Sequence, residues 1–164
     1  MIYILSLEPI ESRYTGQWMK YLPDTIGKIT GKPVMIIWGD VISSEVTEGA
    51  FLNFLDTNLW KNNQINRLVN LIKSGIIKSG DKIVFPDAWH TGVIQVKYMS
   101  ELMDIDLQIH SIWHAGSYDP QDFLGRKVKD KNWSYNFERS VFYASDFNYF
   151  ATDYHIELFR NELM

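Results

Sequence analysis

His90 stands three residues after Asp87 in the stretch PDAWH, and this pair is the first place in the chain where residue types and spacing suggest chemistry. A carboxylate that orients an imidazole makes it a general base for an acceptor hydroxyl, because histidine titrates near neutrality. Polar residues of this kind recur wherever an apolar run ends. Glu8, Arg13, Tyr14 and Gly16 follow the first run and Asp40 the second; Asp87, His90 and Gly92 follow the third. His114, Gly116, Ser117 and Asp119 follow the fourth, and Thr152, Asp153 and His155 the fifth. Three of the four histidines therefore fall at run ends, while His110 lies inside the fourth run.

The remaining constellations say less. Gly116 and Ser117 could offer backbone N–H groups to a phosphate, but a plain turn uses the same residues. His114 with Asp119 or Asp122 lacks the spacing of HExxH or a comparable metal motif, so no metal site is expected. Asp153 reads first as the N-cap of a last helix. Neither G-x-G-x-x-G nor G-x-x-x-x-G-K-[ST] occurs, which argues against a dinucleotide fingerprint and a Walker-type NTPase.

These residues need elements to position them. Runs at 2–7, 34–38, 82–85, 107–113 and 147–151 read as strands. Between them, Trp18, Tyr21, Leu22, Ile26 and Ile29 predict a helix that Pro23 interrupts and Gly31 closes. Residues 41–57 read as a long loop, and from Asn58 onward Ile65, Leu68, Val69, Ile72 and Ile76 mark an amphipathic helix. A helix over about 91–103 carries Ile94, Tyr98 and Leu102 on one row. After the polar loop SYDPQDFLGRKVKDK come a helix with Phe137, Val141 and Ala144, and a last one with Ile156, Phe159 and Leu163. Alternation of strand and helix predicts a single α/β domain, Rossmann-like and doubly wound, with about five mainly parallel strands and helices on both faces. In such sheets ligands bind beyond the carboxyl ends of the strands, where the polar residues collect.

Composition narrows the classes. The chain has 164 residues, about the length of one domain, and ordinary globular proportions of apolar and charged residues. A net charge of −4 and the lack of a long basic run weigh against autonomous nucleic-acid binding. Cysteine is absent, which removes disulfides and thiolate chemistry. No signal sequence or membrane span is expected, and a cytoplasmic location fits. Six Trp, nine Tyr and nine Phe supply a ring-rich core, with aromatic surface for a ligand or partner besides.

The segments EPIESRYTGQW, TEGAFLNFLDTN, DAWHTGVIQVKYMSELMDI, WHAGSYDPQDFLGR and FNYFATDYHIELF are spread along nearly the whole chain. They resemble glycosyltransferase-like proteins of T4-type bacteriophages. The resemblance implies the N-terminal, acceptor-side half of a two-domain GT-B enzyme, whose other half binds a nucleotide-sugar co-substrate without a further cofactor. It implies a catalytic base on an N-terminal loop, where His90 and Asp87 fit. It also implies a substrate-facing loop carrying His114, Gly116, Ser117, Tyr118, Asp119, Asp122 and Arg126, with Glu8, Arg13, Tyr14 and Gly16 on the same side. The acceptor would include modified bases of DNA, and the partner would be a separate donor-binding half or a second copy, in the host cytoplasm. Two other readings stay open: a non-catalytic module that binds protein through exposed aromatic residues, and a stand-alone nucleoside or nucleotide enzyme of flavodoxin-like topology using a carboxylate such as Glu8 or Asp87.

Overall fold

The structure, a computed structural model, describes residues 1–10, 13–40, 50 and 52–164; most of the expected loop at 41–57 lies outside them. In chain order the elements are β1 (Ile2–Leu5), α1 (Thr15–Thr30), β2 (Val34–Ile37), α2 (Phe54–Lys73), β3 (Lys82–Phe85) and α3 (Gly92–Leu102). Then follow β4 (Gln108–Trp113), α4 (Phe123–Lys127), α5 (Lys131–Ala144), β5 (Phe147–Phe150) and α6 (Asp153–Leu163). The five strands form one sheet in the order β2-β1-β3-β4-β5, with every neighbouring pair parallel. Strand order reverses between β1 and β3, because after β2 the chain crosses to the other side of β1.

Alternation along the strands sorts side chains onto two faces. Ile2, Ile4 and Val84 meet Met19, Trp18 and Ile26 of α1 on one face. Tyr3, Leu5, Ile83, Phe85 and Ile109 face the other way, toward Ile65 and Leu68 of α2, Val93 and Val96 of α3, Val141 of α5 and Phe159 of α6. The α/β architecture with helices on both faces is thus present, but the cover is uneven. Beyond α1, the same face of β4 and β5 shows His110, Phe147 and Tyr149 as a row of parallel rings. His110 lies 4.6 Å from Phe147 and 6.0 Å from Tyr149, and the two partner rings belong to residues 45% and 47% exposed.

Several expected boundaries change. Pro23 does not interrupt α1, which runs unbroken from Thr15 to Thr30. The proline forgoes one internal hydrogen bond, and the packing of Trp18, Met19 and Ile26 spans the gap. Tyr21 and Ile29 of the predicted row are exposed. Helix α2 starts at Phe54 and not at Asn58, because the Asn53 side chain caps it by accepting the N–H groups of Leu55 and Asp56. It ends at Lys73, leaving Ile76 exposed while Ile77 is buried. The predicted row on α3 is also displaced: Tyr98 and Leu102 are 65% and 68% exposed, and Val93 and Val96 face the core. The polar loop after β4 contains the short helix α4, capped by Asp122. Thr152, not Asp153, caps α6, accepting from the His155 N–H; Asp153 sits in the first turn, where its charge suits the helix dipole.

No described helix is long and apolar enough to cross a membrane.

Candidate functional site

At the carboxyl edge of the sheet, the segments after β1, β3 and β4 meet the start of α2 and α4 around a cleft of about 220 Å³. The cleft opens beside the point where strand order reverses, the place where ligands bind in open α/β sheets. Its volume is below the roughly 300–1,000 Å³ of sites that enclose drug-sized ligands, so it suits one ring and not a whole nucleotide-sugar. Arg13, Tyr14, Asp87, His114 and Asp122, all picked out from sequence, line it together. Thr57, Lys61 and Trp89 complete the polar and aromatic wall and were not anticipated.

His114 is the group best placed for proton transfer. Its Nε2 lies 2.7 Å from the Pro86 carbonyl, which can only accept, so Nε2 carries the proton. Nδ1 is then the basic nitrogen of the neutral ring, and it takes no hydrogen bond among the described residues. The rings of Tyr14 and Trp18, with centroids 5.4 and 4.8 Å away, hold the imidazole in place. Tyr14 sits among charges. Burial raises its hydroxyl above the usual tyrosine value, Asp87, Glu8 and Asp122 push the same way, and Arg13 opposes them. The Arg13 guanidinium lies 5.5 Å from the centre of the Tyr14 ring.

Asp87 and Lys61 shape the opposite wall. Asp87 Oδ1 accepts the Trp89 N–H at 3.0 Å, and Oδ2 is 3.8 Å from Lys61 Nζ. Lys61 also donates to the Trp89 carbonyl at 2.6 Å, so one cation ties α2 to the segment after β3.

His90 is placed differently from the sequence reading. It is buried, 5% exposed, and both ring nitrogens are engaged away from Asp87. The Gly92 N–H donates to Nδ1 at 2.9 Å, which leaves the proton on Nε2, 3.2 Å from Gln64 Oε1. Gln64 in turn donates to the carbonyls of Ser6 and Ile37. The ring therefore joins three strand ends to α2, and neither nitrogen is available to a substrate. Burial, helped by nearby Lys61, drives its basicity well below the usual histidine value. The sign of the resulting pH dependence follows. The unfolded chain takes up a proton below about pH 6.5 that the folded protein refuses, so stability falls as pH falls through that region, by up to about 1.4 kcal/mol per pH unit. Chemical denaturation between pH 5 and 7.5 checks this; a His90→Gln variant with an unchanged slope would show that another group is responsible.

The block after β4 folds inward. Ser117 N–H donates to Glu138 Oε1 at 2.6 Å, and its hydroxyl reaches Glu138 Oε2 at 2.8 Å, so neither Ser117 donor is turned toward a phosphate. Trp89 Nε1 donates to the same carboxylate at 2.8 Å, linking two of the segments that build the cleft. Glu138 is fully buried on α5, and desolvation raises its carboxyl above the usual range against the pull of those bonds. Lys131 fastens the block from outside, donating to the carbonyls of Ser117 and Gly125. Gly116 is required at this point: a methyl there would overlap Glu138 Oε1 and stand 2.7 Å from the Tyr118 ring.

Other expected site residues stand outside the cleft wall. Tyr118 is buried against Trp113 and Phe159. Asp119 Oδ1 accepts the Gln121 N–H, and Oδ2 is 3.7 Å from His155 Nε2. Arg126 is exposed and donates to the Gln121 carbonyl. Gly16 lies exposed in the first turn of α1, and Asp40 pairs with Arg67. Glu8 is buried and does not line the cleft. No group of three or more metal-ligating side chains comes together among the described residues.

Neither the protein-family models, nor the curated proteins, nor the solved structures contain a match to this chain.

Proposed function

We propose that this chain is the acceptor-side domain of a glycosyltransferase of GT-B type, with the cleft at the sheet edge as the acceptor site. The observation that carries the reading is the fixed tautomer of His114: a basic nitrogen without a partner among the described residues, on a side chain lining a ring-sized cleft. In the reaction His114 Nδ1 takes the proton of the acceptor hydroxyl as its oxygen attacks the anomeric carbon of a nucleotide-sugar. The bond from that carbon to the nucleotide diphosphate breaks, and the diphosphate leaves with the bonding electrons. Donor binding belongs to a second half, linked or separately encoded, and a modified pyrimidine of DNA is among the acceptors. The setting is the cytoplasm of a host cell, and the aromatic row on β4 and β5 is a surface for the partner.

Calorimetry against nucleotide-sugars, nucleosides and modified-cytosine DNA tests this. The expected result is binding of nucleosides or DNA without nucleotide-sugars, with His114→Ala weakening it about tenfold or more. Binding of nucleotide-sugars alone, or equal affinity in the variant, would refute the assignment. A second reading, a stand-alone nucleoside enzyme, draws support from the strand order β2-β1-β3-β4-β5, which is flavodoxin-like. Turnover of a nucleoside by the chain alone would favour it.

A further inference from the structure

The sheet ends on one side at β5, and that edge is open. Asp146 N–H donates to the Ile109 carbonyl at 2.9 Å, and in a parallel ladder alternate residues bond the same neighbour. The N–H and C=O groups of Phe147 and Tyr149 therefore point away from β4, and they meet no partner among the described residues. The opposite edge is partly occupied, since Arg67 donates to the Trp38 carbonyl just past β2 at 2.6 Å. Edge strands are usually blunted by lysine, proline or a bulge; β5, with the sequence FNYF, has neither residue and pairs with β4 in unbroken register.

Both faces beside this edge offer contact surface. On one, Phe147 and Tyr149 stack with His110 and stay nearly half exposed. On the other, Asp146, Asn148 and Phe150 line a groove with Ile156 and Arg160 of α6, and neither Asp146 nor Arg160 forms an ion pair among the described residues. A second β5 laid antiparallel fits this edge in one register that uses both outward residues of each copy. Phe147 then stands opposite the second copy's Tyr149, and Asn148 opposite Asn148 across a two-fold axis. Each Phe–Tyr pair carries the row of rings from one sheet into the other, a contact that stabilises strand pairing. The same register sets the Asp146 end of one strand beside the Phe150 end of the other, so each Asp146 approaches the groove that holds the other copy's Arg160. Four residues of main-chain pairing fall short of the roughly 1,200 Å² of a standard interface, so the flanking rings and grooves supply the remainder and the affinity is modest.

We infer that β5 is a self-pairing edge, through which two copies of this chain join antiparallel at Phe147 and Tyr149 into one continuous sheet. The inference is independent of the chemistry of the cleft, and it names a second copy as the partner of the aromatic row.

Sedimentation equilibrium of the unsubstituted protein is expected to show monomer and dimer exchanging with a micromolar dissociation constant; a monomer up to millimolar concentration would overturn the inference. Amide exchange locates the contact. The N–H groups of Phe147 and Tyr149 are expected to be protected in the dimer and to lose protection on dilution, and a dimer that leaves them unprotected is joined elsewhere and overturns it too. Phe147→Lys and Tyr149→Glu each set a charge against a ring at both symmetric contacts, and each is expected to weaken dimerisation about tenfold or more. Mixed together, the two variants are expected to associate about tenfold more tightly than either alone, because the antiparallel register restores one ring pair and sets the introduced cation against the introduced anion. A mixture no tighter than its components would refute that register and the inference with it. Thermal unfolding checks that both variants fold, and if either does not, the exchange measurement on the unsubstituted protein decides alone. A monomer whose cleft binds nucleosides overturns this inference and leaves the acceptor reading; a dimer that binds none does the reverse.

Discussion

Replacing Glu138 by alanine is expected to lower the unfolding free energy by about 3–5 kcal/mol, seen as a reduced urea midpoint. Three donors converge on this carboxylate, the N–H and hydroxyl of Ser117 and the indole N–H of Trp89. The buried Ser117 N–H and the half-buried Trp89 indole would lose their acceptor, the Ser117 hydroxyl would keep only Ser134, and the two cleft segments would lose their common anchor. Glu138→Gln keeps the shape and one acceptor oxygen, so it costs less. It also removes a pH dependence of definite sign. The folded protein holds the Glu138 proton to higher pH than the unfolded chain does. That contribution to stability is therefore fullest below the unfolded glutamate value and declines as pH rises through the raised folded one. An alanine variant within about 1 kcal/mol of the unsubstituted protein would show that the anchor is not needed.

The second large effect is expected at Gly116. An alanine there meets the Glu138 carboxylate and the Tyr118 ring, in a block closed from outside by Lys131, so the neighbours have little room to yield. A loss of about 2–3 kcal/mol is expected. Because the obstruction is Glu138 itself, the cost is coupled: combined with Glu138→Ala, the substitution should cost clearly less than it does alone. Strict additivity in a double-mutant cycle would place the strain elsewhere.

The sequence made some of this readable and left the rest hidden for physical reasons. Alternating apolar runs and amphipathic stretches pointed to the parallel sheet, and the rule that ligands meet strand ends picked out Arg13, Tyr14, Asp87 and His114, which line one cleft with Asp122 of the loop singled out by resemblance. What spacing could not reveal was direction. His90 and Gly92 are two residues apart, close enough for the backbone N–H of one to bond the ring of the other, and that inward bond withdrew the histidine from chemistry. His114 owes its free nitrogen to the carbonyl of Pro86, from another strand end. Glu138 was not singled out from sequence, although Ser134, Glu138 and Val141 share one buried helical stripe. Thr57 was missed because the cap at Asn53 extends α2 into what composition described as loop; Lys61 lay inside the expected helix, whose periodicity does not single out one charged position.

The order of the strands also bears on how the molecule assembles. Ile2 pairs with Val34 on one side and with Lys82 on the other, and no two strands are joined by a hairpin. Every sheet contact therefore closes a long loop, and such topologies fold slowly for their size. β1 lies between β2 and β3, and the whole of α2 separates its two neighbours in the chain. Until β3 has been synthesised, one row of β1 backbone N–H and C=O groups, flanked by apolar side chains, is open to any other extended chain, so the nascent protein is prone to aggregate during that interval.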